Sequence, residues 1–517
     1  MENQNSSFVE GPKFWITLCT MLASLMAVLD ISIVNVALSD IRASFGVQID
    51  QIAWISTGYM MANVIVIPMT GWFQKRFGLF NYFLFSLSLF IIASILCGLS
   101  WNLASMTAFR MIQGAGGGAI IPCASTILMS RYPKNQQGMA QALIGLGAIT
   151  GPLLGPTLGG YLIEWFNWHM IFFINIPLGI LCLFIATRSI KTPSFVPTIT
   201  PIDVKAFLLL IFGMSTLQFV LEEGHRRFWF QDNWIIAATV VCITCSVTLV
   251  IHQLESENPI IDFRVFKNLN YTLCTLINFI LGVTLFSASF LFSMYCGTVL
   301  NLPPLEIGLI FLKGCMIQIL IMPLIGLLIN KISGRIMIAF GIIMTLSSLF
   351  FNGHLTSNVP NSFLITVLFL RSLGLGAIFI PISYLALSGV EQKSLGNAVG
   401  LFNLTRELGG SIGLAWMATM LINHMHINET LIKNNVIVGS SQTEQQFNHL
   451  LQMYQGRSWN PTAAAYQSLQ NRMSVQALVQ SFNFSLLMLF IVFLVAFFII
   501  FFLKEGDNKN AKSVTLH

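Results

Sequence analysis

Residues 14–38 read FWITLCTMLASLMAVLDISIVNVAL, an apolar stretch interrupted by a single charge, Asp30. A helix needs about 20 mostly apolar residues to cross a bilayer, because every backbone polar group must find its partner within the segment. The stretch is longer than the apolar core of a signal peptide and lacks a small-residue cleavage site. It therefore predicts a retained membrane-spanning helix.

Similar apolar runs recur along the whole chain. Including the first, the runs cover residues 14–38, 52–73, 80–100, 103–129, 137–162, 169–187, 205–222, 233–251, 271–297, 305–329, 336–356, 362–389, 397–422 and 479–503. These fourteen runs predict an all-α membrane protein with fourteen transmembrane helices. An even number of spans places both termini on the same side of the membrane.

The composition agrees with a membrane protein. Of 517 residues, 55% are hydrophobic and 9% are charged, whereas a soluble domain has about 25% charged residues. This excludes an intrinsically disordered chain and a nucleic-acid-binding module, because both need more polar surface. The nine Cys are scattered, and the Cys242/Cys245 pair has no further ligands nearby, so we expect neither a disulfide framework nor a metal site.

The Lys and Arg residues predict the orientation. Most of the 26 fall in the loops that share a side with the N-terminus, and positive charge concentrates in cytoplasmic loops. We therefore expect both termini to be cytoplasmic. The net charge of +6 is explained by this topology, and no nucleic-acid partner is needed to account for it.

Two weak internal matches predict a duplicated core. Pro68 corresponds to Pro323 and Arg110 to Arg371, and these offsets of 255 and 261 positions are similar. Spans 1 to 6 then correspond to spans 9 to 14, with two helices inserted between them, which is a 6+2+6 plan. The predicted divisions are an N-terminal half over residues 1–190, an insert over 191–265 and a C-terminal half over 266–517. The last includes a long external loop over 425–476.

Several sequence motifs accompany this plan. They are LDISIVNVAL at 29–38, GWFQKRFG at 71–78, RMIQG at 110–114, GLGAITGPLLGPTLGG at 145–160, NWHMIFFINIPLG at 167–179, EGHRRFWF at 223–230, NPIIDFRVF at 258–266 and FNLTRELGGSIG at 402–413. The plan resembles the major facilitator superfamily. The motifs resemble its fourteen-span drug/proton antiporters of the EmrB and QacA type, and most of all the EmrB-like branch.

The loop at 71–78 departs from the general superfamily pattern. Gly71, Arg76 and Gly78 are similar to it, but Lys75 stands where that pattern has an acidic residue, and Leu79 stands where it has an Arg. EmrB-like members have a similar basic form. The departure therefore favours that branch while removing the usual charge relay of the loop.

The fifth span carries a stripe of glycines at every fourth position, together with two prolines. They are Gly147, Gly151, Gly155 and Gly159, with Pro152 and Pro156. Such a stripe allows a neighbouring backbone to approach closely, and the prolines remove helical hydrogen bonds and favour a bend. A static, tightly packed helix pair is one interpretation. The other, favoured by the resemblance, is a bendable contact that lets one half rock against the other.

Asp30 and Arg110 lie at matching depth within spans 1 and 4. A charge at this depth costs roughly 2.5–3.5 kcal/mol on insertion scales, so it needs a reason. We expect both residues to face one central cavity, where Arg110 favours the ionised carboxylate and loss of water favours the neutral acid. This predicts proton coupling at Asp30. The alternative is a structural ion pair that locks the two helices together.

Further polar residues complete the predicted cavity. They are Asn35, Gln113, Lys313, Arg371, Arg406 and Glu407. Lys313 and Glu407 depart from the EmrB-like pattern with opposite charges, and we expect Glu407 to compensate Lys313 or Arg371. Such a cavity would suit an anionic or zwitterionic substrate.

The resemblance implies a proton-coupled antiporter that exports drugs or other small molecules across a bacterial inner membrane. It implies no cofactor, because the proton gradient drives transport, and it implies a periplasmic adaptor protein and an outer-membrane channel as partners. The external loop is then either an adaptor contact or a mere tether. Proton-linked uptake or export of a specific metabolite or a metal chelate such as a siderophore stays open. An enzyme is disfavoured, because the sequence has no HExxH motif and no phosphate-binding loop.

Overall fold

A computed structural model describes residues 12–133, 136–189, 203–329, 331–435, 441–455 and 459–503. Throughout these ranges the regular structure is helical, without strands. In chain order, α1 to α17 are Pro12–Phe45, Ile49–Ile52, Trp54–Phe77, Leu79–Gly98, Leu103–Arg131, Gln137–Trp165, Met170–Phe173, Asn175–Ser189, Val204–Glu223, Asn233–Glu255, Leu269–Thr298, Pro304–Leu328, Gly334–Asn352, Asn361–Ser388, Leu395–Asn435, Ser441–Tyr454 and Pro461–Ile500. Short 3₁₀ turns lie at Trp229–Gln231 and Phe263–Lys267.

Every predicted apolar run lies on one or two of these helices. Within the described ranges, eleven helical segments are long and apolar enough to cross a membrane. Helices α3, α6 and α15 are also long, but they are richer in glycine and polar residues and fall outside that set. The predicted all-α membrane fold is confirmed, whereas the count of fourteen spans stays a prediction.

The two ends of the chain pack in the same pattern. In the first, α1 packs on α6, and α5 packs on α3 and α4; in the second, α11 packs on α15, and α14 packs on α12 and α13. We call α1 to α8 the first half and α11 to α17 the second half. The division of the chain at residues 190 and 265 stays a prediction, and residues 190–202 lie outside the described ranges.

The halves meet closely at one end of the bundle, which we call the base, where α3 and α12 finish and α6 and α15 begin. A Cβ atom added at Gly71 would lie 2.6 Å from the backbone nitrogen of Asn397. On the other side of the base, a Cβ at Gly326 would lie 2.9 Å from the Cβ of Ala142. The base is therefore held by two seams, α3 with α15 and α6 with α12.

Helices α9 and α10 form an insert beside the first of these seams. α9 packs against both α3 and α15, and α10 packs against α9. The chain leaving α10 buries Ile260 and Ile261 in the same apolar cluster as Trp72 and Leu401. The Asn397 amide then donates to the Asp262 carbonyl oxygen at 2.8 Å and accepts from its N–H at 3.1 Å. The insert is thus fastened to the base.

The predicted external loop over 425–476 is largely helical where the structure describes it. α15 has 41 residues and α17 has 40, which at 1.5 Å per residue is about 60 Å, roughly twice the hydrocarbon core. The Asn428 amide donates to the Ser481 hydroxyl at 2.9 Å, and α16 packs on α17. The position of this segment outside the membrane stays a prediction. Polar composition did not prevent helix formation, because the helices support one another. Residues 436–440 and 456–458 lie outside the described ranges.

Candidate functional site

Asp30 and Arg110 form an ion pair inside the first half. Arg110 Nη1 lies 2.5 Å from Asp30 Oδ2, and the Arg110 and Asp30 side chains are 1% and 0% exposed. Asp30 comes from α1 and Arg110 from α5, which begin at opposite ends of the bundle and bring the two residues to one depth. The other carboxylate oxygen, Asp30 Oδ1, accepts from Gln113 Nε2 at 2.9 Å and from Asn175 Nδ2 at 2.8 Å.

A serine hydroxyl organises the two amides that hold Asp30. Ser94 Oγ accepts from Gln113 Nε2 and from Asn175 Nδ2, both at 3.1 Å, and donates to the carbonyl oxygen of Phe172 at 2.9 Å. Ser94 and Asn175 belong to the site although no sequence motif predicted a role for either. The available signal was a buried polar residue in an otherwise apolar run, which by itself is common and unspecific.

Aromatic rings close the site around the guanidinium. The Arg110 Cζ atom lies 4.3 Å from the ring centroid of Tyr59 and 5.9 Å from that of Phe172. Arg110 Nη1 also donates to Gln113 Oε1 at 2.8 Å. Cation–π contacts of this kind favour the charge when water is excluded. The pair and Gln113 are therefore enclosed within the first half rather than facing the expected central cavity.

The glycine stripe of α6 lies against α1. A Cβ at Gly147 would meet the Met21 carbonyl oxygen, and a Cβ at Gly155 would meet the Ser32 hydroxyl. α1 belongs to the same half as α6, so the expected contact between the halves along this stripe is corrected. The reason is that contacts with the second half come from another face of α6, where a Cβ at Gly145 would meet Met322.

The remaining predicted stripe residues follow this arrangement. A Cβ at Gly151 would lie 2.7 Å from the Leu29 nitrogen, and one at Gly159 would lie 3.0 Å from Ile33. α6 continues through Pro152 and Pro156 as one helix. The side chains of these two prolines lie outside the described part, so the predicted bend stays a prediction.

The predicted loop motif after α3 lies at the base. Gly71 contacts Asn397, as described above, and Gly78 has φ of +86°, a region that favours glycine. Lys75 is exposed, and the Arg76 guanidinium lies 5.7 Å from the ring centroid of Trp72. The close packing of this motif therefore comes from its glycines, whereas Lys75 extends away.

Asn35 is placed apart from the buried pair. Its side chain is exposed, and its Oδ1 accepts from the Ser56 hydroxyl at 3.2 Å. This bond joins α1 to α3 without contacting Asp30. Of the residues predicted to surround Asp30, the structure thus brings Arg110 and Gln113 to it and leaves Asn35 outside.

Arg371 lies on α14, which packs in the second half as α5 packs in the first, but its surroundings differ from those of Arg110. It is 3% exposed, and its Nε and Nη1 atoms have no hydrogen-bond partner in the described part of the chain. Its side-chain partner is the Cys315 thiol, and its Cζ atom lies 5.8 Å from the Phe311 ring centroid. α11 carries no acidic residue that could replace Asp30.

The structure corrects the expected pairing of Glu407. Its Oε1 lies 3.6 Å from Nη2 of Arg406, its neighbour in the chain, rather than beside Lys313 or Arg371. Arg406 also donates to Asn403 Oδ1 at 3.2 Å. The pairing with Arg406 is possible because both residues sit on α15, whereas Lys313 and Arg371 project from other helices.

Lys313 lies on the exposed face of α12. Met316, Leu320 and Leu324 follow it at helical spacing and are all exposed, whereas Met322 on the opposite face is fully buried. Within the described residues Lys313 has no ion pair. Its position does not bring it to the other predicted cavity residues. In the same ranges, no group of His, Cys, Asp and Glu could hold a metal ion.

The apolar helices, the two similarly packed halves and the enclosed ion pair define a class, that of multi-pass membrane proteins with a repeated helical packing. The family follows from comparison with known proteins. A model described as Major Facilitator Superfamily matches residues 20–414, and the chain belongs to this superfamily.

Relatives and solved structures agree with this assignment. The multidrug export protein EmrB of Haemophilus influenzae is 32% identical over 441 residues, covering 82% of this chain and 84% of the relative. The colistin resistance protein EmrB of Acinetobacter baumannii is 29% identical, covering 96% of this chain and 97% of the relative. The human organic anion transporter MFSD10 (TETRAN) has a TM-score of 0.59 at 14% identity, covering 94% of this chain and 100% of its own. The predicted superfamily fold and resemblance to EmrB-like proteins are confirmed.

Proposed function

We propose that the chain is a proton-coupled antiporter that exports drugs or other small molecules, with Asp30 as the proton-carrying residue and Arg110 as the residue that responds to its charge. The single observation that carries this proposal is the enclosed carboxylate of Asp30, which is held by donors from two other helices. Its relatives named as multidrug or colistin resistance proteins support export over uptake.

The geometry of the donors supports a proton-coupled cycle. Arg110 and Gln113 reach Asp30 from α5, and Asn175 reaches it from α8. α1, which carries Asp30, is instead packed along the α6 glycines. A shift of α1 and α6 relative to α5 and α8 would withdraw donors from the carboxylate. Each withdrawn donor leaves the negative charge less stabilised and favours binding of a proton.

The closed base supports a cycle in which access alternates between the two sides. Gly71 against Asn397 and Gly326 against Ala142 hold the halves together there, so a substrate can pass this end only after both seams separate. If the positive charges in the loops are cytoplasmic, the closed end faces the cytoplasm. We place the chain in a bacterial inner membrane with both termini inside.

Partner proteins follow from the same proposal. The helices that extend from α15 and α17, together with α16, project on the side opposite the base, which this orientation makes periplasmic. A periplasmic adaptor protein and an outer-membrane channel would extend the export path from there. Co-purification of the chain with an adaptor, lost when residues 441–455 are replaced by a short linker, would support this contact, and unchanged co-purification would contradict it.

The deciding experiment is transport by proteoliposomes under an imposed pH gradient. Asp30→Asn removes the titratable charge while keeping the size of the side chain, and Asp40→Asn is the matched control, because Asp40 is an exposed carboxylate on the same helix. A proton-coupled export cycle predicts that ethidium efflux and the accompanying proton flux fall at least ~10-fold in Asp30→Asn, which corresponds to about 1.4 kcal/mol. The control should match the wild type.

Two outcomes would overturn the proposal. Proton exchange by Asp30→Asn at the wild-type rate would remove Asp30 as the coupling residue. Accumulation of substrate in the direction of the proton gradient, instead of against it, would favour the proton-linked uptake described above.

A further inference from the structure

The second half contains an unusual group of buried donors between α12 and α14. Arg371 has three N–H groups on Nε and Nη1 without a partner, and the Nε2 amide of Gln318 also has none within the described residues. Both side chains are more than nine-tenths buried, at 3% and 4% exposure. Buried donors are nearly always satisfied, and one left without a partner costs about 1–3 kcal/mol, or more if it is charged.

The two donors are neighbours. Cys315, the partner of Arg371, lies one helical turn before Gln318 on α12, and residues at this spacing lie about 5–6 Å apart. On the facing helix, a Cβ at Gly376 would lie 3.6 Å from Cγ of Gln318, and Gly376 lies little more than one turn beyond Arg371. Arg371 and Gln318 therefore both lie at the contact between α12 and α14.

Among the described residues of the half, no acidic side chain accepts from these Arg371 nitrogens. α11 has no Asp or Glu, and the nearest acid along α15, Glu407, contacts Arg406. The Phe311 ring faces the guanidinium but accepts no directed pair of hydrogen bonds. What the site lacks is thus an acceptor with two oxygens, since a guanidinium binds a carboxylate through two parallel hydrogen bonds.

We propose that Arg371 and Gln318 form a binding site for the carboxylate of an anionic small molecule, with Phe311 covering the apolar part that adjoins it. The bound oxygens accept from Arg371 Nε and Nη1, and the Gln318 amide donates to one of them. A buried cation without a counter-charge makes the half less stable than it would be with an anion, so binding is driven by completing the pair. That the bound anion is also the transported substrate rests on the proposed export function.

The test measures binding without any gradient, so that it does not depend on transport. Full-length protein in nanodiscs of zwitterionic phosphatidylcholine is dialysed to equilibrium against radiolabelled octanoate, with octanamide as the neutral molecule of the same shape. The variants are Arg371→Gln, Arg371→Lys and Gln318→Leu. Lys393→Gln is the charge-matched control, because Lys393 is exposed in the loop before α15.

We expect saturable binding of octanoate that exceeds binding of octanamide at least ~10-fold, since hydrogen bonds between two charged groups are stronger than those to a neutral amide. Arg371→Gln should abolish this preference, Arg371→Lys should retain part of it, and Gln318→Leu should weaken it several-fold. Lys393→Gln should bind as the wild type does. Equal binding of octanoate and octanamide, or an unchanged preference in both Arg371→Gln and Gln318→Leu, would overturn the proposal.

The outcome is separable from that of the proton-coupling test. Asp30→Asn lies in the first half and leaves the Arg371 site intact, so it should bind octanoate like the wild type even if it exchanges no protons. If octanoate binds at Arg371 but proton-driven export is absent, the proposed function fails and the anion site stands. If export is proton-driven while octanoate and octanamide bind equally, the anion site fails alone.

Discussion

Arg110 and Arg371 lie on corresponding helices of two similarly packed halves, α5 and α14, yet Arg110 is paired with a carboxylate and Arg371 is not. Arg110 contacts Asp30, Gln113 and the Tyr59 ring, whereas Arg371 is buried with two nitrogen atoms unsatisfied. The halves thus repeat the same packing while differing in charge. The difference indicates that the buried arginine of the first half is neutralised by a carboxylate, whereas that of the second half has no such partner among the described residues.

The glycine contacts show which residue of the second half stands where Asp30 stands in the first. In the first half a Cβ at Gly155 would meet the Ser32 hydroxyl, and in the second a Cβ at Gly413 would lie 2.8 Å from the Ser287 hydroxyl. Counting back two residues from each serine gives Asp30 on α1 and Leu285 on α11. The carboxylate of the first half therefore corresponds to an apolar side chain in the second.

The largest effect is expected on breaking the complete pair. Arg110→Met leaves the buried Asp30 charge without its partner and should lower the free energy of unfolding by about 3–5 kcal/mol. Unfolding in mixed micelles at neutral pH measures this loss. The double variant Asp30→Asn/Arg110→Met should recover most of it, because no unpaired charge remains. If the double variant is as unstable as the single one, shape rather than charge holds the site together.

For Arg371→Met in the second half, we expect no such loss of stability. Here the substitution removes a buried cation that has no ion pair within the described part of the chain, so stability should be unchanged or rise by as much as ~1–4 kcal/mol in the same unfolding assay. A loss as large as that of Arg110→Met would show that the two arginines are equivalent, and the contrast between the halves would be wrong.

The third prediction concerns what the halves share, and its effect is smaller. Gly155→Ala and Gly413→Ala each place a methyl group against a serine and a neighbouring backbone, so each should lower stability by about 1–3 kcal/mol. Gly160→Ala is the matched control, because a Cβ there meets nothing within 4 Å and alanine favours a helix by up to ~1 kcal/mol. Unequal losses of stability at Gly155 and Gly413 would show that the two glycine contacts are not equivalent in the two halves.

Much of the architecture was accessible from sequence, because lipid imposes a simple rule on length and polarity. The run around Asp30 and the offset between Arg110 and Arg371 predicted the fold class and the corresponding arginines. The partners Ser94 and Asn175 were missed, since a neutral polar residue on a long helix gives no sign of the direction in which it points. Only packing decides that.

Two expectations failed for related physical reasons. The Gly147–Gly159 stripe predicted close packing but not which helix it would contact, because glycines have no side chains that select one neighbouring helix over another. Glu407 was expected to pair with Lys313 or Arg371 on another helix. It pairs instead with Arg406, its neighbour in the chain. Position along a helix gives depth in the membrane, and the angle around the helix must come from the structure.

The attachment of the insert to the base has a consequence for protein engineering. Asn397 holds the backbone of Asp262 by two hydrogen bonds, and Ile260 and Ile261 fill an apolar cluster with Trp72. A shortened chain, made by excising α9, α10 and the segment through Asp262, would therefore expose apolar side chains of α3 and α15. Such a chain would need new side chains on both helices before it could be handled as a monomer.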